Sequence, residues 1–124
     1  MPAIDFAAER TYDDERFVAH EAFASERAKV VCGYFEPGQF IPVHAPSSDV
    51  VVSVRSGRGV VREEGTEHRV GPGDAVVVAA DTARGVRADG DSRLEALLVT
   101  APPPTDAEHA PVREGLRRDE FDPR

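Results

Sequence analysis

Apolar residues in this chain come in short runs separated by turn-forming clusters, the rhythm of strands rather than of helices. Arg16 to Phe23 and Arg27 to Phe35 read as two strands with a turn near Ser25-Glu26. Glu36-Pro37-Gly38 is a tight turn, since proline fixes φ and glycine supplies a positive one. Val50 to Val54 is a strand that turns through Ser56-Gly57-Arg58-Gly59 into its hairpin partner, Val60 to Arg62. A turn at Glu63-Glu64-Gly65-Thr66 leads to Glu67 to Val70, and Gly71-Pro72-Gly73-Asp74 leads to Ala75 to Val78. Arg84 to Ala88 and Arg93 to Thr100 are the last two strands, divided by Asp89-Gly90-Asp91. Short strands at this spacing predict an all-β barrel or sandwich.

The pattern changes at both ends. Residues 1–15 are charged and weakly patterned and are expected to form an arm. Residues 16–100 form the barrel and residues 101–124 a tail. Pro102-Pro103-Pro104 suits an extended linker. A short helix is predicted from about Pro111 to Phe121, with Pro111 at the first helical position and Leu116 and Phe121 available to dock it.

Composition narrows the picture. With 40% apolar residues, few aromatics and no Trp, the core must be built mainly from Val, Ala and Leu, in runs that favour a pleated surface. The net charge of −8 argues against a nucleic-acid surface, which requires clustered positive charge. Lys29 is the sole lysine beside fourteen arginines, a composition expected of a salt-adapted or GC-rich organism, where screening makes an acidic surface cheap. No stretch approaches the roughly 20 apolar residues of a membrane span, and the start of the chain lacks a signal-like core. The expectation is a soluble, cytoplasmic protein. Cys32 is the sole cysteine and reads as a small buried hydrophobe.

Two stretches carry a recognisable spacing. In the first, Gly38 is followed by five residues, His44, Pro46, Val50 and finally Gly57. In the second, Gly73 is followed by Ala79, Asp81, Arg84 and Ala88. These resemble the two motifs of the cupin superfamily: Gly, five residues, His-x-His, three or four residues, Glu, six residues, Gly; and Gly, five residues, Pro-x-Gly, two residues, His, three residues, Asn. The resemblance implies a double-stranded β-helix (jelly-roll) barrel with the short helical tail appended, and a homodimer, as for many small cupins. It also implies a metal (Fe, Mn, Ni, Zn or Cu) held by three His and one Glu. Here His44 stands at the first ligand position, while Pro46, Val50 and Arg84 occupy the other three. First-row metals want at least three placed N, O or S donors, so no metal is expected. If one is bound, His44 and, through an irregular strand, Asp49 are the candidate ligands.

Arg84 puts a guanidinium where the resemblance implies an inward-facing ligand, and suits a carboxylate or phosphate. His44 is the candidate catalytic residue and a ligand donor. Asp49 and Ser48 at the rim and the Tyr34 hydroxyl complete the candidate pocket. The structural alternative is that Arg84 points outward or pairs with Asp49 or Asp81. Three functions stay open: a metal-free binder of a small organic, possibly anionic, ligand; an isomerase-, decarboxylase- or dioxygenase-type enzyme using His44; and an assembly module.

Overall fold

The computed structural model describes residues 3–123; the outermost residues of the expected arm (1–2) and tail (124) lie outside it. Nine strands follow in order: β1 (Val18–Ala24), β2 (Lys29–Phe35), β3 (Phe40–His44), β4 (Asp49–Gly57), β5 (Gly59–Glu63), β6 (Thr66–Val70), β7 (Ala75–Val78), β8 (Arg84–Ala88) and β9 (Leu94–Ala101). They form a five-stranded sheet, β1-β2-β9-β4-β7, and a four-stranded sheet, β3-β8-β5-β6. All pairings are antiparallel. Among the described residues, no helix is long and apolar enough to cross a membrane.

β3 is the element that the apolar pattern does not announce. Pro42 interrupts it, and proline has no N–H to give a ladder. The sheet accommodates it because β3 is an edge strand. The open edge of β3 is then covered by the tail: the Val43 amide donates to the Phe121 carbonyl at 2.7 Å.

Strand alternation sets the core. In the larger sheet, cross-strand rows run Lys29–Thr100–Val50–Val78, then Val31–Leu98–Val52–Val76, then Gly33–Ala96–Val54, and end at Phe35–Leu94. Phe35, Val52, Val54, Leu94 and Ala96 are almost wholly buried against Val61, Val86 and Ala88 of the smaller sheet. Gly57 closes the β4–β5 hairpin at φ 81°, and a Cβ there would sit 1.7 Å from the Arg93 carbonyl oxygen, so no other residue fits.

The outer face of the larger sheet is partly covered by the N-terminal arm. Phe6 and Tyr12 pack on Tyr34 with ring centroids 5.0 and 5.9 Å away. Glu95, buried beneath the arm, accepts from Arg10 Nε at 2.6 Å and from the Tyr12 hydroxyl. Burial pushes the Glu95 carboxyl up, but these donors outweigh it and hold it below its usual range.

At the other end, a 3-10 turn (Ala107–His109) leads into helix α1 (Ala110–Arg118), with Pro111 in its first turn as the sequence predicts. The helix stops at Arg118, three residues before Phe121, and the left-handed backbone of Asp119 caps it. Gly115 is the contact residue: a Cβ there would lie 2.5 Å from Pro42 Cβ. Phe121 docks edge-on to Phe40 at 5.7 Å, flanked by the guanidinium groups of Arg62 and Arg87.

Candidate functional site

Between the inner faces of the two sheets lies a cavity of about 400 Å³. Its walls come from β1, β2, β3, β4, β8 and β9, and the tail contributes Pro104, His109, Val112, Arg113 and Leu116. Its lining is divided by rung. The outermost rung holds Lys29, Thr100 and Val50 on one sheet and the paired His44 and Arg84 on the other. The next holds Val31, Leu98 and Val52, with Ile41 and Val86 paired across β3 and β8.

His44 and Ile41 both reach the cavity because β3 shifts register between them. In a regular strand, residues three apart point to opposite faces. The His44 Nδ1 atom lies 2.8 Å from the Pro42 carbonyl oxygen, so that nitrogen carries a proton and the ring is fixed.

Arg84, 4% exposed, spans the mouth. Nε donates to Thr82 O (2.8 Å), Nη1 to Ser48 O (2.9 Å) and Nη2 to Ala79 O (2.7 Å). The guanidinium thus ties the β3–β4 connection to the β7–β8 connection through backbone carbonyls, not through Asp49 or Asp81 side chains. Three of its five donors are committed, and the residue remains part of the cavity lining.

Of the five residues singled out from sequence, the structure brings His44 and Arg84 together in the cavity lining. Tyr34 faces the other way, because its neighbours Gly33 and Phe35 point inward; it is buried under the arm and its hydroxyl donates to Phe6 O at 2.7 Å. Asp49 is exposed and accepts the Ala80 amide at 2.8 Å. Ser48 is buried, but its hydroxyl is turned to the Pro102 carbonyl at 2.5 Å. His20 and His68 pair with Glu9 and Glu63, outside the cavity.

Lys29, Thr100, His109, Arg16 and Arg113 also line the cavity. Lys29 had a legible signal: it shares strand parity with Val31 and Phe35. His109 and Arg113 arrive on the tail, where no spacing announces them. The Thr100 hydroxyl is buried and has no hydrogen-bond partner among the described residues.

Among the described residues, the ionisable side chains that line the cavity are all basic: Arg16, Lys29, His44, Arg84, His109 and Arg113. Asp49, Asp81 and Glu63 act on Arg84 from outside the lining. Burial, then Arg84 and His109, push the His44 imidazole below its ordinary range, against the Pro42 carbonyl. Burial, Lys29 and Arg113 do the same to His109, with Asp106 and Glu108 opposing. Burial also lowers Arg84, though not enough to discharge an arginine.

The cupin domain family matches residues 33–100, more than half of the chain. The chain belongs to the cupin family. TT1209 from Thermus thermophilus is 33% identical over 84% of this chain and 100% of its own, with a TM-score of 0.80. An RmlC-like cupin from Desulfovibrio desulfuricans is 30% identical over 83% of this chain and 98% of its own, TM-score 0.74. A double-stranded β-helix protein from Klebsiella pneumoniae, 18% identical over 82% and 90% of the two chains, shares the fold at a TM-score of 0.75. No curated protein matches the chain.

The cupin motif positions fall on this geometry. His44, Pro46, Val50 and Arg84, the residues at the four ligand positions, all line this one cavity. They offer a single imidazole, two apolar surfaces and a fixed cation. Among the described residues, no group of three or more His, Cys, Asp or Glu is placed to hold a metal ion. Arg84 adds repulsion for a divalent cation where the family pattern has a ligand. The donor set of this cupin therefore does not fit the family's metal.

Proposed function

We propose that this cupin binds a small organic anion inside its barrel without a metal. The observation that carries the reading is the charge of the lining: basic side chains converge on a largely apolar cavity, with no carboxylate in its lining among the described residues, in a chain whose net charge is −8. Such a cavity attracts an anion and, being partly dry, strengthens each contact to it. The test is a thermal-shift screen over small carboxylates and phosphates. A ligand present at 100 times its Kd stabilises the native state by about 2.7 kcal/mol, which is roughly 10 °C for a domain of this size. Absence of any shift, or shifts unchanged in Lys29→Met and His44→Gln, sinks the reading. Stoichiometric Fe, Mn, Ni, Cu or Zn in purified protein, lost in His44→Ala, overturns its metal-free half.

A second reading, an enzyme, has one observation in its favour. His44 is half-buried, held by the Pro42 carbonyl and biased toward its neutral form beside a fixed cation. That is the state required of a general base acting on a bound acid whose developing charge Arg84 stabilises. Substrate turnover abolished by His44→Gln, with ligand affinity retained, would establish it.

A further inference from the structure

The anion-binding reading leaves the rest of the ligand undefined, and the order of the rungs defines it. Arg84 Nη1 bonds the Ser48 carbonyl, two residues before Val50. This places the His44–Arg84 pair at the same end of the barrel as the Lys29–Thr100–Val50 row. The tail's His109, which feels both His44 and Lys29, closes over that end. All the inward polar groups that the strands give to the cavity lining sit on this single rung; Arg16, just before β1, and Arg113 on the helix line it from outside the strands. One rung deeper, about 7 Å along the strands at two residues per rung, the lining becomes wholly aliphatic: Val31, Val52, Val86 and Leu98. Gly33 marks the floor on the next rung, where a Cβ would already press on Leu98 Cδ1 at 3.0 Å and Phe35 Cε1 at 3.1 Å.

Resting on the anion-binding reading, we propose that the ligand is a short amphipathic acid: a compact anionic head among Lys29, His44, Arg84 and His109, joined directly to an aliphatic tail that lies between Val31, Val52, Val86 and Leu98. The buried Thr100 hydroxyl, without a partner among the described residues, supplies a donor to the head. A sugar phosphate fits poorly, because its hydroxyls would meet an apolar rung to which the strands contribute no polar side chain. The volume of about 400 Å³ suits a small ligand, near the lower end of the roughly 300–1,000 Å³ range of small-molecule sites.

The test is calorimetric titration of the full chain with sodium acetate, butyrate, hexanoate and decanoate, with hexanol and inorganic phosphate as separate arms. Burying each added methylene is expected to tighten binding about fourfold, the equivalent of ~0.8 kcal/mol. From acetate to hexanoate that amounts to roughly 200-fold. The gain should stop by decanoate, where the tail outgrows the floor at Gly33. Lys29→Met should weaken hexanoate at least tenfold and leave hexanol unchanged. If phosphate and acetate bind as tightly as hexanoate, the anion site stands and the amphipathic ligand is overturned. If hexanol matches hexanoate, the anionic head is wrong, and the anion-binding reading falls with it. If nothing binds, both fall. The ligand series is run on the unmodified protein, so a variant that fails to fold does not affect it.

Discussion

Arg84 separates a structural role from a ligand role, and one substitution measures the balance. In Arg84→Met, a side chain of similar length keeps its methylenes on the same path and loses the three bonds to Thr82, Ser48 and Ala79. Hydrogen bonds from a charged donor are each worth about 1.5–3 kcal/mol. Two effects reduce the sum. The freed Thr82 and Ala79 carbonyls, whose bonds are only part-buried, can regain water, and a guanidinium only 4% exposed no longer has to be desolvated. A net loss of about 2–4 kcal/mol is expected, a sizeable part of the 5–15 kcal/mol typical of a domain. At about 4 °C per kcal/mol, the melting temperature falls by roughly 8–16 °C. Urea unfolding measures the same quantity, and an unchanged m-value establishes that the two denatured states are comparable. Arg84→Lys is the control. One ammonium cannot reach carbonyls on two separate connections, so it should lose most of the stability and keep most of the anion affinity. An Arg84→Met protein within about 1 kcal/mol of the parent would refute the reasoning: the guanidinium would then be free for ligand, and its three carbonyl bonds incidental.

Other outcomes follow from the same geometry. Burial and cationic neighbours push His44 and His109 below the ordinary histidine range, and a bound anion opposes that, so binding should take up protons. Affinity then falls as pH rises through the raised, ligand-bound pKa values; calorimetry in buffers of different ionisation enthalpy tests this, and heats independent of buffer contradict it. In the free protein the sign is opposite: the unfolded chain binds more protons below 6.5, the ordinary histidine value, so these two groups lower stability as pH falls through that region. Glu108 accepts the amides of Ser47 (2.6 Å) and Thr105 (2.9 Å) and is pulled down to about 2, so this latch between tail and barrel persists above 4.5 and is lost as pH falls toward 2. Glu108→Gln should raise amide exchange at Ser47 and across 105–118 at neutral pH; an unchanged exchange map would contradict the latch. Gly115→Ala drives a methyl into Pro42 and should detach the helix, exposing 105–118 to protease while the strands stay protected; equal cleavage rates would refute it. Phe23, Val30, Val99, Val51 and Val77 form an apolar row across the outer face of the larger sheet, with Val77 65% exposed, and the homodimer expected from the sequence would bury it. A monomer by light scattering in both dilute and multimolar salt would contradict that assembly.

How much of this is legible in the sequence depends on which physical rule each feature obeys. Turn chemistry is local, and the motif glycines Gly38, Gly57 and Gly73 all take positive φ, as their spacing implies. Hairpins and the cupin barrel follow from such local rules. β3 does not, because Pro42 is tolerated there for a reason outside the strand: an edge position covered by Phe121. Alternation in β2 says that Lys29, Val31, Gly33 and Phe35 share a face, and Tyr34 the opposite one, but a period of two does not say which face is the interior. The pattern alone therefore admits Tyr34 to the pocket and passes over Lys29. The same alternation puts Asp49 on the face opposite Val50; its place in the candidate pocket needs an irregular strand there, and the β4–β9 register is regular at Asp49 and Val50. His44 depends on a register shift that no residue type marks.

The site itself is a change in the kind of binding. A metal site needs several donors at fixed distances, and losing one disables it. Charge is less exacting, because a cation anywhere around a confined cavity raises the local potential. Once Pro46, Val50 and Arg84 stand at ligand positions, coordination geometry no longer constrains the lining. Basic groups from unrelated elements, Lys29 on β2 and His109 and Arg113 on the tail, can then add to the same field. The acidic excess keeps out of this lining: Glu95 is paired with Arg10 under the arm, and Glu108 is spent on backbone amides. The tail is therefore part of the site as well as its cover. Removing it costs the cavity two basic groups and the apolar wall of Val112 and Leu116 together, so its loss should weaken a short amphipathic acid more than it weakens phosphate.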